Sequence, residues 1–532
     1  MGSFAIMSAD MDGRGKIAKA AGLMSVATFI SRVLGYVKDM ILAVYFGATG
    51  LSDTFFAAFR IPNLLRELFA EGSMSSAFIP VLTEYRQKQG DEEASRLVRI
   101  TFTFIIIVVG FVCIAGVVFA PAIVAAIAPG FLSSPDKFSM TVLLTRIMFP
   151  FLLFISLASL VMGALNTKKV FFVPALAPAM LNITTIAVVV AFAPMANQPI
   201  LVVAIGIALG GFVQFAFQLP AFFRNGYSLG FDPGFRHPGL KKMAILILPA
   251  TMALAVNQIN IIVSNILASY LQAGSITYLY YSMRLIQFPI GIFGVAMGMA
   301  VLPALSEHAA RGDFDRLRED FSFALRLLFF IAVPSMAGLI ALKEPIVNLL
   351  FQRGEFTYAA TQGTAEALLF YSIGIWSIVG VRVITATFYS MQDTKTPVKI
   401  AAVGVASNLL LSLILMGPLR HSGLALANSL ASGINFLILF LSLRKKLHSI
   451  EWKKIAKSFF QVFFSSGIMG LAGWLMLRGE LWATSGSAAI KAGYLSGTMI
   501  FCILIYVIVN SLLKNEELQY VRGVIMKKLG KE

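Results

Sequence analysis

Long apolar runs, separated by short polar stretches, follow one another along almost the whole chain. A run of about 20 apolar residues has the length that a helix needs to cross a bilayer. The pattern therefore predicts an all-α integral membrane protein with about fourteen transmembrane helices and no soluble domain. The predicted spans cover residues 17–46, 50–84, 100–128, 139–165, 171–194, 199–223, 243–271, 276–306, 321–342, 358–390, 397–417, 422–443, 456–477 and 488–513.

The apolar pattern also contains an internal repeat. IPVLTE at 79–84 recurs as LPALSE at 302–307, and nearly the same offset aligns Arg60 with Arg284. Each copy holds an even number of spans, so both copies insert in the same direction and the repeat axis lies along the membrane normal. The repeat predicts two parallel six-helix lobes around a central cavity, with two extra C-terminal helices outside it.

This organisation divides the chain into six predicted segments. The last is basic and amphipathic, which predicts contact with anionic lipids. The segments are a cytoplasmic N-terminus (1–16), an N-terminal lobe (17–225), a cytoplasmic linker (226–242), a C-terminal lobe (243–447), helices 13 and 14 (448–515) and a cytoplasmic tail (516–532).

Composition and charge support a membrane protein with both termini in the cytoplasm. Of the 532 residues, 58% are hydrophobic and only 13% are charged, whereas soluble domains have about 25% charged residues. Of the 43 Lys and Arg residues, 29 fall at the ends and loops on the side of the N-terminus, and six fall in the opposite loops. This asymmetry follows the positive-inside rule. It also explains most of the net charge of +17, so nucleic acid is excluded as a partner.

The sequence offers little for enzymatic or metal chemistry. Cys113 and Cys502 both lie in apolar runs and form no disulfide or metal pattern. The GRGK stretch at 13–16 lacks the spacing of a phosphate-binding loop. We therefore predict no catalytic residue, no metal site and no cofactor.

Charged residues inside the predicted spans are the strongest functional signal. Each costs about 2.5–3.5 kcal/mol at the bilayer centre, so such residues are functional by default. Cations outnumber the nearby acids, and arginine forks and lysine point charges suit phosphate groups. The set therefore favours a substrate that bears phosphate or pyrophosphate. The eight cations are Arg32, Lys38, Arg60, Arg66, Arg146, Arg284, Arg326 and Arg382.

Helices 1 and 2 hold half of these cations, next to a few acids. Arg32 and Asp39 are seven residues apart and so share a helix face. On helix 2, Arg60, Asn63 and Glu67 form a polar stripe that continues to Glu71. The alternative is that Arg32–Asp39 and Arg66 with Glu67 or Glu71 are internal pairs that only hold helices together.

Four stretches closely resemble the MviN/MurJ family of bacterial lipid II flippases, and the similarity runs from about residue 17 to about 447. The resemblance implies the fold of the multidrug/oligosaccharidyl-lipid/polysaccharide exporters. It also implies that the two added helices help to form a groove for a polyprenyl tail. The stretches are SRVLGYVKD, SDTFFAAFRIPNLLRELFAEGSMSSAFIPVLTEY, YYSMRLIQFPIGIFGVAMG and MQDTKTPVKIA.

The resemblance also implies a set of site residues. The family's cavity cations correspond to Arg32, Lys38, Arg66 and Arg284, which are expected to bind the pyrophosphate, with Asp39 as the paired acid. The chain departs from the family at Lys38, where many relatives have arginine, and at Met283 and Gln287, where some have acids. Some members bind sodium, but the corresponding side chains here are not acidic, so no sodium site is predicted. The supporting cavity residues are Asp39, Arg60, Asn63, Glu67 and Gln287.

The function that the resemblance implies is transport of lipid II, the undecaprenyl-pyrophosphate-linked peptidoglycan precursor, from the inner to the outer leaflet of the bacterial cytoplasmic membrane. We expect alternating access driven by the membrane potential, a monomer, and contacts with membrane lipids and peptidoglycan synthases. One alternative is a flippase for another polyprenyl-pyrophosphate glycan, such as a capsule or O-antigen unit. A glycosyltransferase is disfavoured because the longest external loops, around 343–357 and 478–487, offer only Glu344, Glu355 and Glu480 as acids. A drug/cation antiporter is disfavoured by the sign of the charges.

Overall fold

The computed structural model describes residues 2–67 and 74–528, and within these ranges the secondary structure is helical, without strands. The predicted apolar runs fall on helices there, some of them divided at prolines or turns. The helices are α1 (Gly2–Phe46), α2 (Gly50–Leu65), α3 (Met74–Val118), α4 (Ala120–Ile127), α5 (Pro135–Met148), α6 (Pro150–Thr167), α7 (Phe172–Phe192), α8 (Pro199–Ala216), α9 (Leu219–Arg224), α10 (Pro238–Ser269), α11 (Ser275–Pro289), α12 (Val295–Arg311), α13 (Phe314–Ala341), α14 (Lys343–Phe351), α15 (Tyr358–Ile373), α16 (Ile375–Ser390), α17 (Lys395–Lys446), α18 (Trp452–Met476), α19 (Ala488–Leu512) and α20 (Glu516–Lys528).

The helices confirm the predicted all-α membrane fold. Among the described residues, ten helical segments are long and apolar enough to cross a membrane. One of them, α17, contains non-helical backbone at Arg420, which falls between the predicted spans 397–417 and 422–443. The predicted number of fourteen spans is compatible with this set.

The chain forms two compact units. The first comprises Met1–Leu42 and Gly50–Gln258, and the second comprises Ala43–Thr49 and Ile259–Glu532. Helix α10 thus divides between the units at Gln258. The lobe boundaries at 225 and 243 stay a prediction.

In the first unit, the core lies where α3 packs against α6. Phe78 and Leu97 of α3 and Leu160 and Leu165 of α6 are fully buried, and Phe222 of α9 closes the cluster. Burying a side chain of this size contributes about 1.5–3 kcal/mol when its alternative is water. This cluster makes the first unit a packed body that can hold charged side chains in fixed positions.

In the second unit, the added helices α18 and α19 pack against each other, and α18 packs along α13. The segment between α18 and α19 is fixed by Lys491, whose side chain is 2% exposed. Its ammonium donates to Asn348 Oδ1 at 2.9 Å and to the Thr484 carbonyl at 2.5 Å. These bonds satisfy a buried cation with neutral oxygens and attach the added pair to α14.

Asn182 and Asn408 are 226 residues apart, close to the offset of the internal repeat, and each makes a hydrogen bond within its own unit. Asn182 of α7 donates Nδ2 to the Ser31 carbonyl of α1 at 3.3 Å. Asn408 of α17 donates Nδ2 to Asn260 Oδ1 of α10 at 3.2 Å. Both asparagines are buried, so each bond satisfies a polar group that would otherwise be costly. Each asparagine thus connects its helix to another helix of the same unit.

Gly423 allows α17 to turn back tightly after Arg420. A Cβ atom at this position would overlap the Leu415 carbonyl, which is backbone and cannot rotate away. Gly423→Ala is therefore expected to destabilise the protein by about 1–3 kcal/mol, as over-packing does. Thermal unfolding of the purified protein in detergent measures this. Gly433→Ala on the same helix is the control, because no atom lies within 4 Å of the added Cβ; an equal loss in both variants would contradict the prediction.

Asp393 joins the start of α17 to its end. Its carboxylate accepts the Thr396 backbone N–H at 3.0 Å and the Lys446 ammonium at 2.6 Å. The hydrogen bond from Lys446, followed by that from Thr396, lowers the pKa of Asp393 to about 2.

Because this pKa is lowered on folding, the stabilisation by Asp393 is present above its unfolded value of about 3.9 and is lost as the pH falls to about 2. Asp393→Asn is expected to cost about 1 kcal/mol at pH 7, the size of a helix-cap loss. Unfolding measured against pH should show the difference between parent and variant narrowing between about pH 4 and pH 2. A difference that stays constant with pH would contradict the assignment.

Candidate functional site

Helix α1 places a largely buried ion pair in the middle of its apolar run. Lys38 Nζ lies 3.7 Å from Asp39 Oδ1, and the two side chains are 12% and 0% exposed. A buried carboxylate is costly unless a cation compensates it. Lys38 and Asp39 therefore stabilise each other, because each compensates the charge of the other.

The structure places Lys38, and not Arg32, against Asp39. Asp39 pairs with Lys38, whereas the Arg32 side chain is exposed on its unit and forms no ion pair with any described residue. The physical reason is distance. Residues seven apart share a helix face but are separated by about 10 Å along the axis, while the flexible lysine stem can turn back to the adjacent carboxylate.

Helix α2 and the residues after it hold Arg66 in a hydrogen-bonded network. Arg66 Nε donates to Asn63 Oδ1 at 3.1 Å, and Asn63 Nδ2 donates to Glu67 Oε1 at 3.0 Å. Arg66 Nη2 lies 3.7 Å from the same Glu67 oxygen. Gln258 of α10 donates Nε2 to the other Glu67 oxygen. The network fixes the direction of the Arg66 guanidinium through its Nε atom.

Asn63 and Glu67 belong to the predicted polar stripe, and the structure joins them to Arg66. Arg60, one turn earlier on α2, is half-buried. Glu71, the predicted end of the stripe, lies outside the described residues. Gln258 was not predicted as a site residue, although it lies in a polar stretch, NQIN at 257–260, inside an apolar helix. This polar stretch inside an apolar helix is the sequence feature that could have indicated Gln258 as a site residue.

Arg284 lies in the second unit, on α11, and is half-buried. Gln287, one turn later, is exposed. Pro289 ends α11, and a π-helical turn follows at Ile290–Gly294. Such turns occur frequently at functional sites, because they change the direction of the side chains around them. The backbone thus becomes irregular at Ile290, after the helix that carries Arg284 and in a part of the chain where the sequence predicts substrate contact.

The other three in-span cations have different surroundings. Arg146 donates Nε to the Val117 carbonyl at 3.2 Å. Arg382 of α16 packs against Gly294 and Gly298, and no described residue forms an ion pair with it. Arg326 Nη1 donates to Glu516 and Glu517 of α20, each at 2.7 Å, and so anchors the C-terminal tail. Arg326 is therefore occupied by a structural ion pair.

The charged side chains of the predicted site differ in whether they form ion pairs. The Arg66–Glu67 pair that the alternative names is present, while Asp39 pairs with Lys38 and Arg32 is left exposed. No three His, Cys, Asp or Glu side chains come together as metal ligands anywhere in residues 2–67 and 74–528. Charged groups that are fixed by neighbours and point from apolar helices can bind an anion directly, without a metal bridge.

Comparison with known proteins identifies relatives over most of the chain. A family model described as "Lipid II flippase MurJ" matches residues 42–492. A Vibrio cholerae protein named "Probable lipid II flippase MurJ" is 37% identical over 80% of this chain and 83% of its own length. A Burkholderia cenocepacia protein named "Lipid II flippase MurJ" is 38% identical over 79% of this chain and 82% of its own.

Two solved structures are also similar to this chain. One titled "Lipid II flippase MurJ, inward closed conformation" matches with a TM-score of 0.77 and 28% identity, over 94% of this chain and 99% of that chain. An inward-facing multidrug resistance MATE transporter of the MOP superfamily matches with a TM-score of 0.66 at 15% identity, over 78% of this chain and 94% of its own. The second match shows a shared fold alone.

Proposed function

The chain belongs to the lipid II flippase MurJ family, and from this premise we propose that it moves lipid II from the inner to the outer leaflet by binding its pyrophosphate to fixed cations. It is a multi-pass protein of the bacterial inner membrane, with lipid II and membrane lipids as its binding partners. The observation that carries the mechanism is the network that orients Arg66 through Asn63.

We assign the pyrophosphate to Arg32, Lys38, Arg66 and Arg284. An arginine whose Nε is already bound to an amide oxygen presents its terminal nitrogens in a set direction, which suits a doubly charged phosphate group. Asp39 compensates the largely buried Lys38 ammonium and lowers the net charge that the substrate must balance. The protein carries out transport without catalysis or a cofactor, and the polyprenyl tail stays in the bilayer or along α18 and α19.

Energy for the movement comes from the membrane potential. With both termini in the cytoplasm, as the distribution of Lys and Arg predicts, an anionic headgroup moves outward down a potential that is negative inside. A potential of 100 mV contributes about 2.3 kcal/mol per charge that crosses the full field.

Proteoliposomes with an imposed potassium diffusion potential test this coupling. Transport of lipid II should accelerate when the potential is negative on the cytoplasmic side and slow when it is removed with an ionophore. Protein-free vesicles with the same gradient are the control. Transport at an unchanged rate in de-energised vesicles would contradict the role of the potential.

Substrate identity is tested by complementation. Because the chain belongs to this family, it should restore growth of a strain depleted of its lipid II flippase. It should not restore surface display in a strain that lacks a flippase for capsule or O-antigen units. The reverse result would favour the alternative, a flippase for another polyprenyl-pyrophosphate glycan. We further propose that the protein acts as a monomer beside peptidoglycan synthases.

A further inference from the structure

A cavity of about 450 Å³ opens in the second unit, and none of the predicted pyrophosphate-binding residues lines it. Its volume falls within the usual range of about 300–1,000 Å³ for small-ligand sites. It lies between the turn after α10, the start of α14, the middle of α15 and the kink in α17. The loops among these segments are predicted to face the outside. The lining residues are Gln272, Lys343, Glu366, Leu369, Phe370, Pro418, Leu419, Arg420, His421 and Ser422.

The kink in α17 holds a charged residue in an unfavourable backbone conformation at the rim of this cavity. Arg420 has φ 51° and ψ −131°, in a region where glycine is normally found. Its Nη1 donates to Gln272 Oε1 at 3.0 Å. His421, buried beside it, donates Nε2–H to the Gly363 carbonyl at 2.9 Å. Backbone strain of this kind persists where neighbouring contacts enforce it, and such residues cluster at ligand sites.

The charges around the cavity do not neutralise one another. Lys343 and Glu366 both line it, yet neither forms an ion pair with any residue in the described ranges, and Arg420 bonds only to an amide there. Two cations and one carboxylate therefore face the same open space with a net positive charge. Leu369 and Phe370 form an apolar part of the wall.

The two cations, the carboxylate and the apolar wall together limit the class of ligand that the cavity can bind. A phosphate would meet the carboxylate of Glu366, and a hydrophobic cation would meet two positive charges. A short peptide with two carboxylates and one amine matches both signs, while its small side chains fit the apolar wall. We propose that this cavity binds a short anionic peptide, with its carboxylates on Lys343 and Arg420 and its amine on Glu366.

Calorimetric titration of the purified full-length protein with acetyl-Glu-Lys-Ala tests the proposal. This probe carries two carboxylates and one amine, and the same peptide with a C-terminal amide is the control ligand. The acid should bind at least about tenfold more tightly than the amide, because one charge-assisted contact is lost in the amide. Equal affinities of the acid and the amide, or no binding at millimolar concentration, would overturn the proposal.

Three variants locate the binding. Arg420→Gly removes the cation and places at this position a residue that adopts the backbone conformation without strain, so the variant is expected to fold. Lys343→Gln should weaken binding similarly, by about tenfold. Arg353→Gln is the matched control, because Arg353 is exposed and does not line the cavity. Equal weakening by Arg353→Gln, or full binding by Arg420→Gly, would overturn the proposal.

The peptide has two possible sources, which the transport assay separates. If Arg420→Gly slows the movement of lipid II but not of the same lipid without its peptide, the ligand is the peptide of the cargo. If it slows neither while binding of the probe is still lost, the ligand is a free peptide outside the cell. The first outcome rests on the proposed function. The titration involves no transport, so its failure would leave the proposed function standing.

Discussion

Replacing Arg284 by alanine is expected to reduce transport of lipid II by roughly 30-fold or more, because truncating one side of a buried charge-assisted contact costs at least about 2 kcal/mol. Arg284 lies half-buried on α11, before Pro289 and the π-helical turn. Initial rates of lipid II movement in proteoliposomes, at equal amounts of reconstituted protein, measure the effect.

Two further variants show whether the loss of transport comes from the contact between Arg284 and the substrate. Arg284→Lys keeps the charge but loses the fork, so it should retain part of the activity. Arg146→Gln is the matched control, because Arg146 is also an in-span cation but bonds to the Val117 carbonyl and is not assigned to the substrate. Full transport by Arg284→Ala, or an equal loss in Arg146→Gln, would contradict the assignment.

Replacing Asp39 by asparagine is expected to lower the free energy of unfolding by about 3 kcal/mol or more. The reason is that Lys38, at 12% exposure, would carry its charge in a largely buried position without the neighbouring carboxylate. Denaturant unfolding of the purified protein in detergent measures the loss.

A double variant tests the physical cause. When Lys38→Met is added to Asp39→Asn, no charge of the pair remains buried, so most of the lost stability should return. Methionine is close to the lysine stem in length and shape, so the apolar contacts of that stem are preserved. Asp39→Asn with parental stability, or a double variant less stable than either single one, would show that the pair does not stabilise α1.

The helices could be predicted from the sequence because bilayer thickness fixes the length of an apolar run. The kink of α17 at Arg420 even falls between two predicted spans. The repeat could be predicted for a related reason, since two copies of one unit preserve the spacing of Arg60 and Arg284. The lengths of the apolar runs and the internal repeat were thus enough to predict where the helices lie.

Side-chain partners were harder to predict. Spacing placed Asp39 on the face of Arg32, but the carboxylate pairs with the adjacent Lys38 because a lysine stem can bend back. The acids that hold Arg326 come 190 and 191 residues later in the chain. No local pattern indicates that α20 packs against α13. The Gln258 contact with Glu67 is equally distant in sequence.

These differences change the interpretation of the intramembrane cations. Arg326 is accounted for by the acids of the tail. The Lys38 charge is compensated by its neighbour Asp39, and Lys38 stays assigned to the substrate. Arg66 is oriented by an amide as well as by an acid. The charges inside the spans therefore divide into those that hold helices together and those that are positioned for an anion, and only the second group should control transport.

The most direct test of the central claim is a leaflet-accessibility assay for lipid II in vesicles with and without the purified protein. The proposed function predicts that lipid II placed in one leaflet becomes accessible in the other only when the protein is present, and that Arg284→Ala abolishes most of this movement. Equal accessibility with and without the protein would contradict it.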